Sequence, residues 1–435
     1  MSSYIWSNKK DALLKIPKQL EVCKDYINHQ VKIPENNLLK KIIKQWNLLI
    51  TEESSKVGSG EITEPILNPY IAGNPVTGEL FVGREDIMRQ LKELWGKAGQ
   101  CSSVVLYGHR RMGKSSILQN LKYYLDSNTI IVHFDMQLTG DITNTSQLLF
   151  LMALEIYYQF NQVKSNCLAI PQENDFITYP RHTFKHFLDK LNQVREEYRF
   201  IVTMDEFEII EEMINEQKLN KELFQFWRGI FQSYQWLIMA FAGLHSLQEM
   251  TYDYWQPLYS SVESIGVSFL DSQASAQLIM NPVPIKYTDE VVQEIIKLTN
   301  GQAYLIQRIC HNLVSQFNQR FQSQKPKNYT FTKEDIDFIV NSQELFSDGL
   351  GYFEGIWIQA RDSEPNGQLD ILRQLCYQPL SSQELNNCLD LTLEQIEDAL
   401  KTLMRHDVIK QENNQYKYTV ELMRRWFKNR EADNL

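Results

Sequence analysis

At 435 residues the chain is too long for one small core. With 43% hydrophobic and 23% charged residues, it has the composition of a globular protein rather than a disordered one. A net charge of −10 and a pI near 5.4 argue against a constitutive grip on nucleic acid or anionic lipid. No run approaches the roughly 20 apolar residues that span a bilayer, and the polar start does not resemble a signal peptide. The six cysteines (Cys23, Cys101, Cys167, Cys310, Cys376 and Cys388) form no C-x-x-C pair. A soluble cytoplasmic protein with reduced, buried thiols is expected. The eight histidines form no ligand-spaced cluster of the kind a metal hydrolase needs.

Residues 9–50 carry helical spacing, with Leu13, Ile16, Leu20 and Cys23 on one face, broken at Ile33-Pro34 and resumed at 38–49. A Ser/Gly/Glu-rich linker follows at 51–65, so 1–62 is expected to be a helical appendage. Apolar β runs then alternate with helices. Strands are expected at 103–107, 129–134, 200–204 and 236–242, with a last one at 267–270, and helices at 115–125, 147–160 and 221–233. Short buried strands separated by helices predict a parallel sheet covered on both faces, over 63–270.

After Asp271 the strands are expected to stop. Helices at 273–280, 289–298, 303–317 and 333–340 make a helical lid over 271–360. From about Gly367 the order is helix, helix, helix, strand, turn, strand, helix, the outline of a winged helix over 361–435. Its third helix opens with a capping box, Thr392 with Gln395. The fold class is therefore α/β: a parallel sheet, a helical lid, a C-terminal winged helix and an N-terminal helical appendage.

Gly108-His109-Arg110-Arg111-Met112-Gly113-Lys114-Ser115 fits G-x-x-x-x-G-K-[ST], with a β run before it and a helix-forming stretch after it. Two glycines let the backbone wrap so that successive N–H groups face phosphate oxygens. The following helix, with Ser116 in its first turn, adds the positive end of its dipole. Lys114 suits the β- and γ-phosphates and Ser115 a Mg2+ ion. The strand FIVTMDE at 200–206 ends in two acids: Asp205 to hold Mg2+ and Glu206 to polarise the attacking water. Nearby Glu208 reads as a solvated or capping residue. At the tip of the next strand, His245 and Ser246 are candidates for the γ-phosphate or the lytic water, with an N-cap role the alternative for Ser246. Arg110 and Arg111 face either phosphate, a neighbouring subunit or solvent.

With these motifs, FVGRE (Phe81, Val82, Gly83, Arg84, Glu85) and the segment from Thr299 to Gln307, the chain resembles the AAA-like NTPases of the STAND group, relatives of origin-recognition ATPases. The resemblance spans roughly residues 68–319. It implies ATP as the nucleotide, with Phe81, Val82, Arg84 and the preceding loop (69–77) beside the adenine. It also implies a Gly-x-Pro turn in the lid; here that turn reads Gly301-Gln302-Ala303, without the proline. No Arg or Lys occurs between Arg228 and Lys286, so an arginine finger after the sensor strand is unavailable. Arg228 or Arg308 would have to substitute.

Glu394, Glu397 and Asp398 sit where a winged helix would meet DNA, which favours protein partners through the winged helix or the N-terminal helices. The resemblance therefore points to a slowly hydrolysing ATP switch in signalling or defence, with a nucleotide-dependent oligomer as one option. The competing reading is a DNA-associated ATPase of transposition, replication or repair.

Overall fold

The computed structural model describes residues 65–96, 102–136, 142–244, 255–259, 261–323 and 330–433, with six scattered positions before residue 65. The appendage and linker expected at 1–62, and His245 and Ser246, lie outside the described residues.

Five parallel strands form the central sheet: β1 (Ser103–Tyr107), β2 (Thr129–Asp135), β3 (Arg199–Asp205), β4 (Leu237–Gly243) and β5 (Val262–Gly266), in the order β2-β3-β4-β1-β5. The inner strands are mainly apolar and buried along their middles because both faces are covered. Val104 and Leu106 of β1, Ile201 of β3 and Ile238 of β4 pack under α1 (Glu85–Gly96) and α2 (Lys114–Asn120). Their neighbours Val105, Val202 and Met239 face the opposite core. That core is closed by α3 (Thr145–Val163), α4 (Glu173–Phe176), α5 (Pro180–Val194), α6 (Ile209–Asn215), α7 (Leu223–Ser233) and α8 (Gln256–Tyr259). Period-two alternation thus sends each strand's side chains into two cores at once.

The last strand is displaced from expectation. It is β5 at Val262–Gly266, not 267–270. As an edge strand it pairs only with β1, and its interleaved Glu263 and Ser264 are exposed. An edge strand needs fewer apolar residues, which hid it. Residues 267–270 are the extended exit, tied to β1 by the Val267 N–H on the Tyr107 carbonyl, 2.7 Å.

Beyond the sheet come α9 (Ser272–Met280), α10 (Asp289–Thr299), α11 (Ala303–Ser323) and α12 (Lys333–Val340). Asp271 and Thr288 cap α9 and α10 through their side chains. Strands do not stop here as expected: two-residue β6 (Lys286–Tyr287) and β7 (Thr330–Phe331) pair in parallel. Such short strands have no readable period. Two further helices, α13 (Gln343–Asp348) and α14 (Leu350–Asp362), lead into the winged helix.

The winged helix comprises α15 (Gln368–Leu375), α16 (Ser382–Cys388), α17 (Leu393–Arg405), β8 (Ile409–Glu412), β9 (Gln415–Tyr418) and α18 (Glu421–Asp433). The Thr392/Gln395 capping box is formed. The hairpin turn uses Asn413 and Asn414, both at positive φ, as a two-residue turn requires. A single continuous apolar cluster runs from Leu278 of α9 through Phe353 of α14 to Phe427 of α18. Among the described cysteines, Cys310 and Cys376 are buried, but Cys167 and Cys388 are exposed, contrary to expectation. No described helix is long and apolar enough to cross a membrane.

Candidate functional site

The C-terminal ends of the strands open onto a cleft of about 980 Å³, the position at which parallel sheets bind ligands. One side is the loop between β1 and α2. At Gly108 (φ 151°) a Cβ would stand 2.3 Å from the Val267 carbonyl oxygen, so only glycine fits. Gly113 (φ 95°) and Arg111 (φ 64°) complete the wrap in left-handed conformations.

Lys114, the first residue of α2, folds back over the loop. Its Nζ donates to the carbonyls of Gly108 (2.7 Å) and His109 (3.0 Å). Burial pulls its ammonium below the usual lysine pKa. The carboxylates of Glu208, Asp205 and Glu206 oppose that shift, and Arg110 reinforces it. A half-buried cation of this kind, facing a cleft and held only by carbonyls, is chemically suited to exchange those carbonyls for phosphate oxygens.

Acids face it from the strand tips. Asp205 ends β3, level with Asp135 of β2 and Ala242 of β4. Its Oδ1 accepts the Glu206 N–H at 3.0 Å. Glu206, at φ 49°, is exposed on the cleft wall. Glu208, half-buried in the cleft lining, occupies the N-cap position of α6, though without a side-chain capping bond. Its Oε1 accepts the Leu244 N–H, tying the Asp-Glu tip to the end of β4. A Cβ at residue 243 would meet that oxygen at 2.3 Å, which accounts for Gly243.

Braces hold the loop from several sides. The buried Arg84 donates from Nη2 to the Met112 carbonyl, 2.8 Å. Ser116 Oγ accepts the Val76 N–H at 3.0 Å, and Asn120 Nδ2 donates to the Val76 carbonyl at 2.8 Å, fixing the loop before α1 to α2. Arg111 donates to the Gly73 carbonyl and lies 5.3 Å over the Tyr304 ring of α11. Arg308 is spoken for as well: its Nη2 donates to the Asp348 carbonyl at 2.7 Å.

Of the residues singled out from the sequence, Phe81, Val82, Arg84, Asp205 and Glu206 line the cleft, as does the loop from Arg110 through Ser115 and on to Ser116. Gly108 and His109 do not. The His109 side chain turns away, 3% exposed, with ring centroids 6.3 Å from Tyr352 and 6.4 Å from His406. Neither of its nitrogens makes a well-formed hydrogen bond. Burial, with His406 and Lys114 adding to it, drives its pKa down to about 3. Motif reading counts the loop's residues but not the directions of their side chains: it puts the His109 backbone in the phosphate loop, and the fold turns the ring toward Tyr352 and His406. The resemblance puts the lid turn through Gln302 near the nucleotide; that Gln302 and Tyr304 meet Arg111, and that Asp135 lines the cleft, appears only in the folded chain.

The donors fit the groups that the loop implies. Ser115 and Asp205 are hard oxygen ligands of the type Mg2+ takes. The cleft lining also includes the apolar Ile71, Pro75, Leu80, Phe81 and Leu270, which suit a planar base.

Loop, sheet order, helical segment and winged helix together define a P-loop NTPase fold. No protein-family model and no curated protein matches the chain. Among solved structures it is similar to the Walker-type ATPase PABY2304 of Pyrococcus abyssi, with TM-score 0.59, 17% identity, 82% of this chain and 99% of that one covered. Cdc6p of Pyrobaculum aerophilum matches at TM-score 0.39 with 13% identity over 83% of this chain and 97% of that one. Orc1 of Aeropyrum pernix, in complex with DNA, matches at 0.39 with 11% identity over 82% and 96%. The fold assignment rests on the first.

Proposed function

We propose that the chain is an ATP-binding, Mg2+-dependent and slowly hydrolysing switch of the STAND type. The sheet domain (63–270) would hold the nucleotide, and the lid (271–360) and winged helix (361–435) would answer to its state. Bound ATP supplies the phosphoryl group. Lys114 neutralises phosphate charge, Ser115 and Asp205 hold the metal, and Glu206 orients water and takes its proton. Phe81 and Val82 flank the base. A cytoplasmic signalling or defence role, with protein partners on the winged helix or the N-terminal segment, follows from the resemblance to that group.

One observation carries this reading: the phosphate loop touches the winged helix directly, through His109 against His406, 6.4 Å between ring centroids. A loop wired to a C-terminal domain suits a switch. The DNA-reading alternative gains nothing comparable. Arg424 and Arg425 both pair with Glu421, Arg430 with Glu354 and Lys401 with Asp398.

The test is nucleotide binding and turnover by the purified chain, with and without duplex DNA. Lys114→Ala is expected to weaken ATP binding by about 100-fold or more. Glu206→Gln should keep binding within a few-fold and slow turnover about 100-fold, trapping ATP. A flat binding isotherm for wild type sinks the reading, and severalfold stimulation by DNA would favour the alternative.

A further inference from the structure

We infer that Gln302 is the positioning residue that couples the lid to the phosphate loop, its amide NH2 holding the Arg111 carbonyl while its amide oxygen holds the first turn of α11. The inference rests on the nucleotide site proposed above and names how occupancy there reaches the lid.

Gln302 is fully buried, at 0% exposure. Burying an amide is costly unless both of its ends are satisfied. Here each end serves a different body. Nε2 donates to the Arg111 carbonyl at 3.1 Å, across 191 positions of sequence. Oε1 accepts the Leu305 N–H at 2.9 Å. That amide is one of the four at the start of α11 with no partner inside the helix. One side chain therefore spans from the centre of the phosphate loop to the N-terminus of the longest lid helix.

Both anchor points are constrained. Arg111 sits at φ 64°, where a non-glycine residue is held only by its surroundings. The turn before Gln302 is fixed to the strand exit: the Leu270 N–H bonds the Gly301 carbonyl at 2.9 Å, and a Cβ on Gly301 would stand 2.1 Å from the Leu270 carbonyl oxygen. When ligand phosphates draw Lys114 off the Gly108 and His109 carbonyls, the loop around Arg111 must readjust. Gln302 then has two outcomes. It gives up the Arg111 carbonyl and leaves a buried amide unpaired, or it carries the first turn of α11 with it. The first strands a desolvated donor, so the second is favoured.

The same turn carries Tyr304, whose ring lies under the Arg111 guanidinium and whose hydroxyl donates to the Asp348 carbonyl at 3.2 Å. Asp348 ends α13, which leads into α14 and Tyr352, the residue packed on His109. Movement of the α11 start is thereby passed toward the winged helix, and the circuit closes back on the loop. Gln302 carries no charge, so this link is insensitive to salt, unlike an ion pair.

Gln302→Glu separates the two roles: a carboxylate still accepts the Leu305 N–H, but at pH 8 it has no hydrogen to give Arg111. The full chain is titrated with ADP and with a non-hydrolysable ATP analogue, and amide hydrogen exchange of residues 303–308 is followed with and without each. Wild type should show nucleotide-dependent slowing of about tenfold in that segment. Gln302→Glu should bind nucleotide within about threefold of wild type yet lose most of the slowing. If the variant binds and retains the full slowing, the coupling is overturned. A wild type that binds no nucleotide gives a flat isotherm and overturns the proposed function itself, which is a distinguishable result. Should Gln302→Glu melt below the assay temperature, Gln302→Met, similar in volume but lacking both hydrogen bonds, is used for the overturning arm alone: if it binds nucleotide and keeps the full slowing, the coupling is overturned.

Discussion

In the sheet half, adjacent residues of one strand belong to different cores: Val104 and Leu106 lie under α1 and α2, and Val105 lies on the other side with Phe200 and Phe241. In the C-terminal half, Ile309 of the lid, Phe353 of α14 and Phe427 of the winged helix share one continuous cluster. A sheet separates whatever happens on its two faces. A shared cluster does the opposite, because a packed interior passes a displacement on. The phosphate loop stands at the border between these regimes. It is built on the sheet, and its side chains reach into the half that shares one core.

The largest expected effect comes from breaking that unity. Phe353 is fully buried and stacked on Trp426 at 5.7 Å with 14° between the planes. Phe353→Ala should cost about 3–5 kcal/mol. If lid and winged helix are one unit, hydrogen exchange in α11 and α17 should accelerate together while β3 stays protected. Phe200→Ala, at 0% exposure in the sheet, should cost about as much and show the reverse pattern. Acceleration in α17 alone would mean two bodies rather than one.

His109 sharpens the comparison from the border itself. Its folded pKa, about 3, lies below the ordinary value of 6.5. The folded state therefore binds fewer protons than the unfolded state in that window. The stability contribution is fully present above pH 6.5 and declines as pH falls from there toward 3. Between pH 7.5 and pH 5 the loss should be about 2 kcal/mol. Urea unfolding of wild type and His109→Phe at the two pH values measures it: the variant should lose most of the slope. An equal slope in both proteins would place the titration elsewhere.

How much of this was legible follows from range in sequence. The loop, the FIVTMDE strand and the Thr392 capping box are local patterns, in which the signal and the structure occupy the same few residues. β5 escaped because an edge strand tolerates Glu263 and Ser264. α14 follows Gly349 and carries Gly351 and Gly355, which break its helical pattern, so no helix is expected there. The site's braces were not legible at all. Arg84 to Met112, Glu208 to Leu244 and Gln302 to Arg111 join residues 28, 36 and 191 positions apart. No spacing rule connects such pairs before the chain is folded. His109 shows the same limit from the other side: the motif fixed its place in the loop but not the direction of its ring.

The smallest expected effect tests the remaining tie between the halves. Ser268, on the exit from β5, donates from Oγ to Asp407 Oδ2 at 2.7 Å, next to His406 in the winged helix. Burial raises the Asp407 pKa, and the Ser268 hydroxyl works against that by favouring the carboxylate. With a folded pKa above the unfolded one, this group lends stability at low pH and loses it as pH rises through that raised value. Ser268→Ala removes the opposing hydrogen bond, so the pKa should climb further and the loss extend to higher pH. Near neutrality the expected cost is about 1 kcal/mol, read as roughly fivefold faster exchange in α17 with β1 unchanged. Asp407→Asn should abolish the pH dependence at little cost near neutrality, because it keeps an acceptor for Ser268 and removes the desolvated charge. The sign is what separates this contact from its neighbour: His109 weakens the docking as acid is added, and Asp407 weakens it as acid is withdrawn. The two groups thus act with opposite signs: His109→Phe should remove the loss on acidification, Asp407→Asn should remove the loss as pH rises, and Ser268→Ala should extend that second loss. If Asp407→Asn and His109→Phe change the pH dependence with the same sign, the two contacts act as one group and the sheet half and the C-terminal half meet at a single point rather than two.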